Sequence, residues 1–197
     1  MSYFTYVFPC VWEDYCKVGF SRDPLSRLQA LHSRWFEFFD VDRLLLVASD
    51  SEREARDLEL ELRKPLKFHK APMPLTISTR AGGFTEWLRG SYKPLEEKLE
   101  VLRQLGYAVE ASPRAWVRNS LEDRSDRLFA WTEATLQIEG GEAATGPQSV
   151  VLDTLDAYTS FGLEVESRVS PETFAWYRSR SHLSEALEDF RCASSDP

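Results

Sequence analysis

The chain has 197 residues, 43% of them hydrophobic and 28% charged, and a formal net charge of −8. That length buries a sizeable core in one domain or two small ones, and the composition is that of an ordinary soluble globular protein. No apolar run approaches the roughly 20 residues of a membrane helix. Met1-Ser2-Tyr3-Phe4 also lacks the basic start and small-residue cleavage site of a secretory leader. The expectation is therefore a cytoplasmic protein with no membrane partner. Three cysteines (Cys10, Cys16, Cys192) and three histidines (His32, His69, His182) have spacings that suit neither a disulfide framework nor a tetrahedral zinc site.

Taken in chain order, Tyr3 to Phe8 is a β-branched and aromatic run closed by Pro9, which reads as a strand. Val11-Trp12-Glu13-Asp14 fits a hairpin connection to a second strand from Cys16 to Phe20. Asp23-Pro24 supplies an N-cap with proline at the first helical position, so a helix is expected from about Pro24 to Arg34. Val41 to Ala48 reads as a buried strand. Asp50 or Ser51 caps the next helix, which should end near Pro65. Phe68 to Gly83 reads as a loop with a short extended piece at Leu75 to Ser78. Pro94 opens a helix with Leu95, Leu99, Leu102 and Leu105 on one face, ended by Gly106.

Beyond about residue 110 the composition shifts. Ser120-Leu121-Glu122-Asp123 resembles a capping box with Asp for Glu, opening a helix through Trp131 and Leu136. The stretch 140–147 is the best linker candidate. Val150 to Phe161 reads as helix, Leu163 to Val169 alternates like a strand, and Ser170-Pro171-Glu172 starts a last helix. Charge divides along the same line: residues 1–93 carry 14 Lys+Arg against 13 Asp+Glu, and residues 94–197 carry 10 against 19, so the acidity belongs to the second half. In the first half Arg63, Lys64, Lys67, His69 and Lys70 fall within eight positions with no acid between them, a cluster suited to a phosphate backbone or to a solvated helix end.

Four polar residues of the first half carry chemistry as a set: Tyr6 in a strand, Lys17 in Lys17-Val18-Gly19, Arg27 in a helix, and Glu59 in an otherwise apolar helix stripe. A phenol or amine can take a proton from water, a guanidinium can neutralise phosphate charge, and a carboxylate can hold a divalent cation. Glu59 falls about 20° beyond the arc formed by Ala55, Leu58, Leu62 and Leu66. A carboxylate in that place costs desolvation unless it is paired with an arginine or bound to a metal. Arg27 projects to the edge of its helix's apolar face, and His32 falls within that face.

The order of these residues resembles the GIY-YIG nuclease superfamily. Phe4-Thr5-Tyr6 stands at the GIY motif and keeps only its tyrosine. Lys17-Val18-Gly19 stands at YIG, in the form that places lysine at the tyrosine. The stretch Ser21 to Leu28 is similar to the one that delivers the family arginine, at Arg27. Ala55-x-x-Leu58-Glu59-x-x-Leu62 is similar to the pattern around the metal-binding glutamate. Gly83-Phe84-Thr85-Glu86-Trp87-Leu88 resembles the G-E-W-F ending of one branch with two residues inserted. The resemblance covers about residues 3–90. It departs at the first two GIY positions, at the histidine expected a turn after the arginine (only His32 is near), and at Arg63, where this branch often has histidine.

The expected fold is α+β: a small, mainly antiparallel sheet flanked by helices in residues 1–109, then a mainly helical acidic region over 110–197. The resemblance implies a Mg²⁺- or Mn²⁺-dependent endonuclease acting on DNA, with RNA also open, that leaves a 5′-phosphate and a 3′-hydroxyl. Tyr6, Lys17, Arg27 and Glu59 would be its catalytic residues and Glu59 its metal ligand. His32 and Glu86 are secondary candidates, and Arg63, Lys64, Lys67 and Lys70 are candidate nucleic-acid contacts. Two other classes fit the same sequence: a non-catalytic nucleic-acid-binding or interaction module on this fold, and an acidic decoy or inhibitor.

Overall fold

The computed structural model describes residues 2–137 and 148–181. The linker candidate at 140–147, His182, Cys192 and the C-terminal tail lie outside the described residues. The chain divides into two compact units, Met1–Val117 and Arg118–Pro197. The division falls within a helix, further along the chain than the boundary at 109/110 expected from composition. Residues 108–110 run beside the third strand of the first unit: Ala48 N donates to Ala108 O (2.9 Å) and Glu110 N to Leu46 O (2.9 Å). Trp116 packs edge-on against Phe4, with ring centroids 5.7 Å apart.

The first unit is α+β. Strands β1 (Tyr3–Pro9), β2 (Tyr15–Ser21), β3 (Leu45–Ser49) and β4 (Trp87–Arg89) form one antiparallel sheet in the order β3-β1-β2-β4. β1 and β2 are central, which is why both of their faces are buried and neither alternates in polarity. Helices α1 (Pro24–Leu31), α2 (Trp35–Phe38), α3 (Glu52–Arg63) and α4 (Tyr92–Gln104) complete the unit. Val7, Val18, Val47 and Leu88 of the sheet share a core with Leu58 and Leu62 of α3 and with Leu95, Leu99 and Leu102 of α4. Thr5 donates to Ala55 O (2.8 Å) and ties β1 to α3.

Local signals explain most helix starts. Asp23 accepts from Ser26 N (3.0 Å) ahead of Pro24, and Ser51 accepts from Glu54 N (3.2 Å). α4 is capped from a distance instead: Asp14 in the hairpin accepts from Ser91 N (3.3 Å) and Tyr92 N (3.1 Å). α4 therefore begins before Pro94. Several ends differ from expectation. α1 stops at Leu31, because His32 is already extended. Residues 41–43 form a 3-10 turn, and the strand begins only at Leu45. Leu105 lies past the end of α4 and is exposed. No strand forms at Leu75 to Ser78, where the chain turns.

Helix α5 (Pro113–Glu122) contains Ser120, so the capping-box reading there is corrected. The helix starts instead at Ser112-Pro113, the same signal as Asp23-Pro24. The second unit is helical, with α6 (Leu128–Leu136), α7 (Gln148–Ser160) and α8 (Pro171–Arg178). Leu163, Val165 and Val169 are buried, as their alternation suggests, but Gly162 (φ +67°) turns the chain just before this segment and a 3-10 turn at Glu166–Arg168 interrupts it. Alternation marks burial, whereas a strand also needs a neighbour to pair with. No helix among the described residues is long and apolar enough to cross a membrane.

Candidate active site

Antiparallel register places Tyr6 opposite Gly19, Phe8 opposite Lys17, and Lys17 opposite Trp87. Lys17 therefore sits in a central strand between two aromatic rows, and it is 0% exposed. Its ammonium is 5.5 Å from the centre of the Trp87 ring, a cation–π contact. It donates to Glu86 Oε2 (2.7 Å) and to Gly83 O (3.0 Å). Burial lowers the Lys17 pKa from its ordinary value, and the Glu86 carboxylate opposes that shift.

Gly19 has a packing reason that the motif alone does not supply. A Cβ there would meet Tyr6 Oη at 2.5 Å and Cζ at 2.7 Å, so the Tyr6 ring lies directly across the glycine. The ring also stacks on Phe8, with centroids 3.9 Å apart. Burial raises the Tyr6 phenol to about 12, although the Arg27 guanidinium beside it pulls the other way. Arg27 Nε donates to Tyr6 Oη (3.3 Å). Its other nitrogens donate to Ala81 O and, at 3.4 Å, to Gly82 O.

These bonds converge on the turn before β4. Gly83 has φ +72°, and a Cβ on it would meet the Lys17 ammonium, Glu86 Oε2 at 2.6 Å and Arg27 Nη2 at 3.0 Å. The backbone sign favours glycine there, and a Cβ would push aside the ends of all three side chains. The turn is anchored from α3 as well, since Arg63 Nη2 donates to Thr85 O (2.8 Å) while Nη1 pairs with Glu59 Oε1. Arg63 Nε is buried with no hydrogen-bond partner. Glu59 is 5% exposed. Glu59 and Glu86 both act electrostatically on Tyr6, and Arg27 and Arg63 both act on Lys17.

The structure thus brings Tyr6, Lys17, Arg27 and Glu59 into one neighbourhood and adds Glu86 and Arg63. Three cations face two carboxylates there, a surplus that suits an anion. Two sequence readings change. Arg63 does not belong to an unopposed basic run, because it turns inward to Glu59; its spacing four residues after Glu59 on one helix was the available signal. His32 stacks on Phe38, with centroids 4.3 Å apart, and belongs to the aromatic packing beside α2. Lys64, Lys67 and Lys70 are exposed in the 3-10 segment Lys64–His69 and just beyond it.

Among the described residues no group of three or more His, Cys, Asp or Glu could hold a metal ion. The donor set is one or two carboxylates beside the Lys17, Arg27 and Arg63 cations. That fits Mg²⁺, which is typically held by one or two carboxylates together with substrate phosphate and water, rather than a metal that needs an all-protein cage. The orphaned Arg63 Nε–H adds a donor for an anionic oxygen. Compared with family models, with curated proteins and with solved structures, the chain has no match.

Proposed function

We propose that the first unit is a divalent-metal-dependent nuclease that hydrolyses phosphodiester bonds, with DNA as its substrate. One observation carries this reading: the Tyr6, Lys17, Arg27, Glu59, Arg63 and Glu86 side chains gather around a single glycine turn with cations in excess. Arg27 and Arg63 present guanidinium forks whose present partners are mostly backbone carbonyls. A phosphodiester offers these forks acceptors that carry full charge and can be gripped bidentately, which neutral carbonyls do not. Arg63 turning to phosphate would release Glu59 to a cation. A bound Mg²⁺ or Mn²⁺ would supply Lewis-acid charge at the phosphate and the leaving oxygen. Of the two candidate bases, Lys17 is the better suited, because burial lowers its pKa; once it is neutral, Arg27, Arg63 and a bound cation would carry the positive charge of the site. Tyr6, raised to about 12, keeps its proton and orients water through its hydroxyl. The free, buried thiols of Cys10 and Cys16 agree with a reducing compartment such as the cytoplasm.

The test is nicking of supercoiled plasmid with Mg²⁺ or Mn²⁺, by wild type and by Glu59→Ala. Metal-dependent nicking that chelator stops and Glu59→Ala lacks is the expected result. Nicking by the folded variant at the wild-type rate overturns the assignment of Glu59. One observation favours a second reading, a binding module without turnover: the 81–86 turn already occupies Arg27, Lys17 and Arg63. DNA binding with no cleavage under any metal would select it.

A further inference from the structure

Two aromatic rings stand exposed beside the cluster. Phe68 is 88% exposed and Phe84 is 52% exposed. Neither belongs to a loose tip. Phe68 lies in the 3-10 segment whose Leu66 is buried in the core, and just beyond it Lys70 makes an antiparallel bridge to Leu88. Arg63 bonds Thr85 O, Ala71 N donates to Trp87 O (3.0 Å), and His69 Nδ1 lies 2.9 Å from Arg89 O. Phe84 follows the Gly83 turn whose carbonyls hold Arg27 and Lys17. Lys64 and Lys67 precede Phe68 in the same segment and Lys70 follows it, all exposed and none in an ion pair among the described residues. The Lys67 ammonium is 4.9 Å from the Phe68 ring centre.

We infer that this strip binds unpaired nucleotides of a single-stranded polynucleotide, with Phe68 and Phe84 as stacking platforms and Lys64, Lys67 and Lys70 as backbone contacts. The inference rests on the proposed function in taking the ligand to be nucleic acid. A phenyl ring has neither donor nor acceptor, so it cannot read the hydrogen-bonding edges of bases in a duplex groove. Its exposed face suits a base that has left the stack, and stacking on it tolerates any sequence. Exposed lysines on both sides of an exposed aromatic suit a flexible, charged backbone. Arg63, next to Lys64, bonds Thr85 O beside Phe84, which ties this segment to the turn that holds Arg27 and Lys17.

The experiment measures fluorescence anisotropy of the full chain in chelator, which separates binding from cleavage. The probes are a labelled mixed-sequence strand of about 20 nucleotides, an abasic strand of equal length, and a blunt duplex. The strand should bind about tenfold or more tightly than the abasic one. Phe68→Ala and Phe84→Ala should each weaken strand binding about fivefold or more while leaving abasic binding unchanged. Unchanged abasic binding also reports that each variant is folded, and Phe68→Trp should restore the preference. Lys67→Gln should weaken strand and abasic binding alike and reduce the salt slope by about one. Equal binding of the strand and the abasic probe, preference for the duplex, or no binding to any probe overturns the inference. Preference for the strand without metal-dependent cleavage keeps it and refutes the nuclease reading. Cleavage with no preference for bases does the reverse.

Discussion

Replacing Glu86 by alanine leaves the Lys17 ammonium buried with Gly83 O as its remaining hydrogen-bond acceptor. Removing one partner of a buried pair costs about 3–5 kcal/mol. Here Glu86 is 30% exposed and the carbonyl bond survives, so the loss should be nearer ~2–3 kcal/mol. For a chain of this size that lowers the melting temperature by about 4–12 °C. Lys17→Met should behave quite differently. It removes the buried charge and keeps the volume, while Glu86 turns to solvent, so stability should stay within about 1 kcal/mol of wild type. The double variant should resemble Lys17→Met alone, which gives a coupling of about 2–3 kcal/mol in the cycle. Urea unfolding of the three variants, followed by fluorescence of the buried Trp35 and Trp87, reads these values. The pH dependence fixes the cause. Lys17 has a native pKa below its ordinary value, so the unfolded chain binds the extra proton and stability rises with pH between those two values. The Glu86→Ala deficit should therefore shrink as pH rises toward the ordinary lysine value. A Glu86→Ala protein as stable as wild type at neutral pH, or a Lys17→Met as unstable as Glu86→Ala, would refute the reasoning.

Gly19→Ala should cost about 1–3 kcal/mol, because the new Cβ lands 2.5 Å from Tyr6 Oη and the stacked ring has nowhere to retreat; a thermal melt indistinguishable from wild type would contradict the packing. Burial raises the Tyr6 and Tyr92 phenols to about 12, so their contribution to stability is intact below the ordinary tyrosine value and is lost as pH climbs through 12. Titrating the phenolate absorbance should show these groups ionising only with unfolding, and their ionisation near pH 10 in a folded protein would count against the burial argument. If Lys17 is the base, cleavage should increase with pH up to its lowered pKa, and Lys17→Arg, which cannot lose its proton, should abolish the dependence; an unchanged pH–rate profile for that variant removes Lys17 from the role.

The sequence by itself determined what depends on neighbours along the chain. Asp23-Pro24 and Ser170-Pro171 set helix starts through one side-chain oxygen and one fixed φ. The first strand follows from the aromatic and β-branched run of Tyr3 to Phe8. The stripe of Ala55, Leu58 and Leu62 fixed which side of α3 is buried, and hence that Glu59 would need a partner. Arg63, four residues along the same helix, was the local signal for a guanidinium partner, although a metal would satisfy a carboxylate on that flank equally well. That Arg63 also holds the turn before β4 was decided only when α3 packed beside Thr85. The pairing of Lys17 with Glu86 joins residues far apart in sequence, and it depends on β4 lying beside β2. The reason for glycine at 19 and 83 is likewise tertiary: each leaves room for a side chain brought there by another strand or helix. Leu163 to Val169 shows the same limit from the other side, since alternation specifies which residues are buried but cannot create the neighbouring strand that would make the segment a ladder.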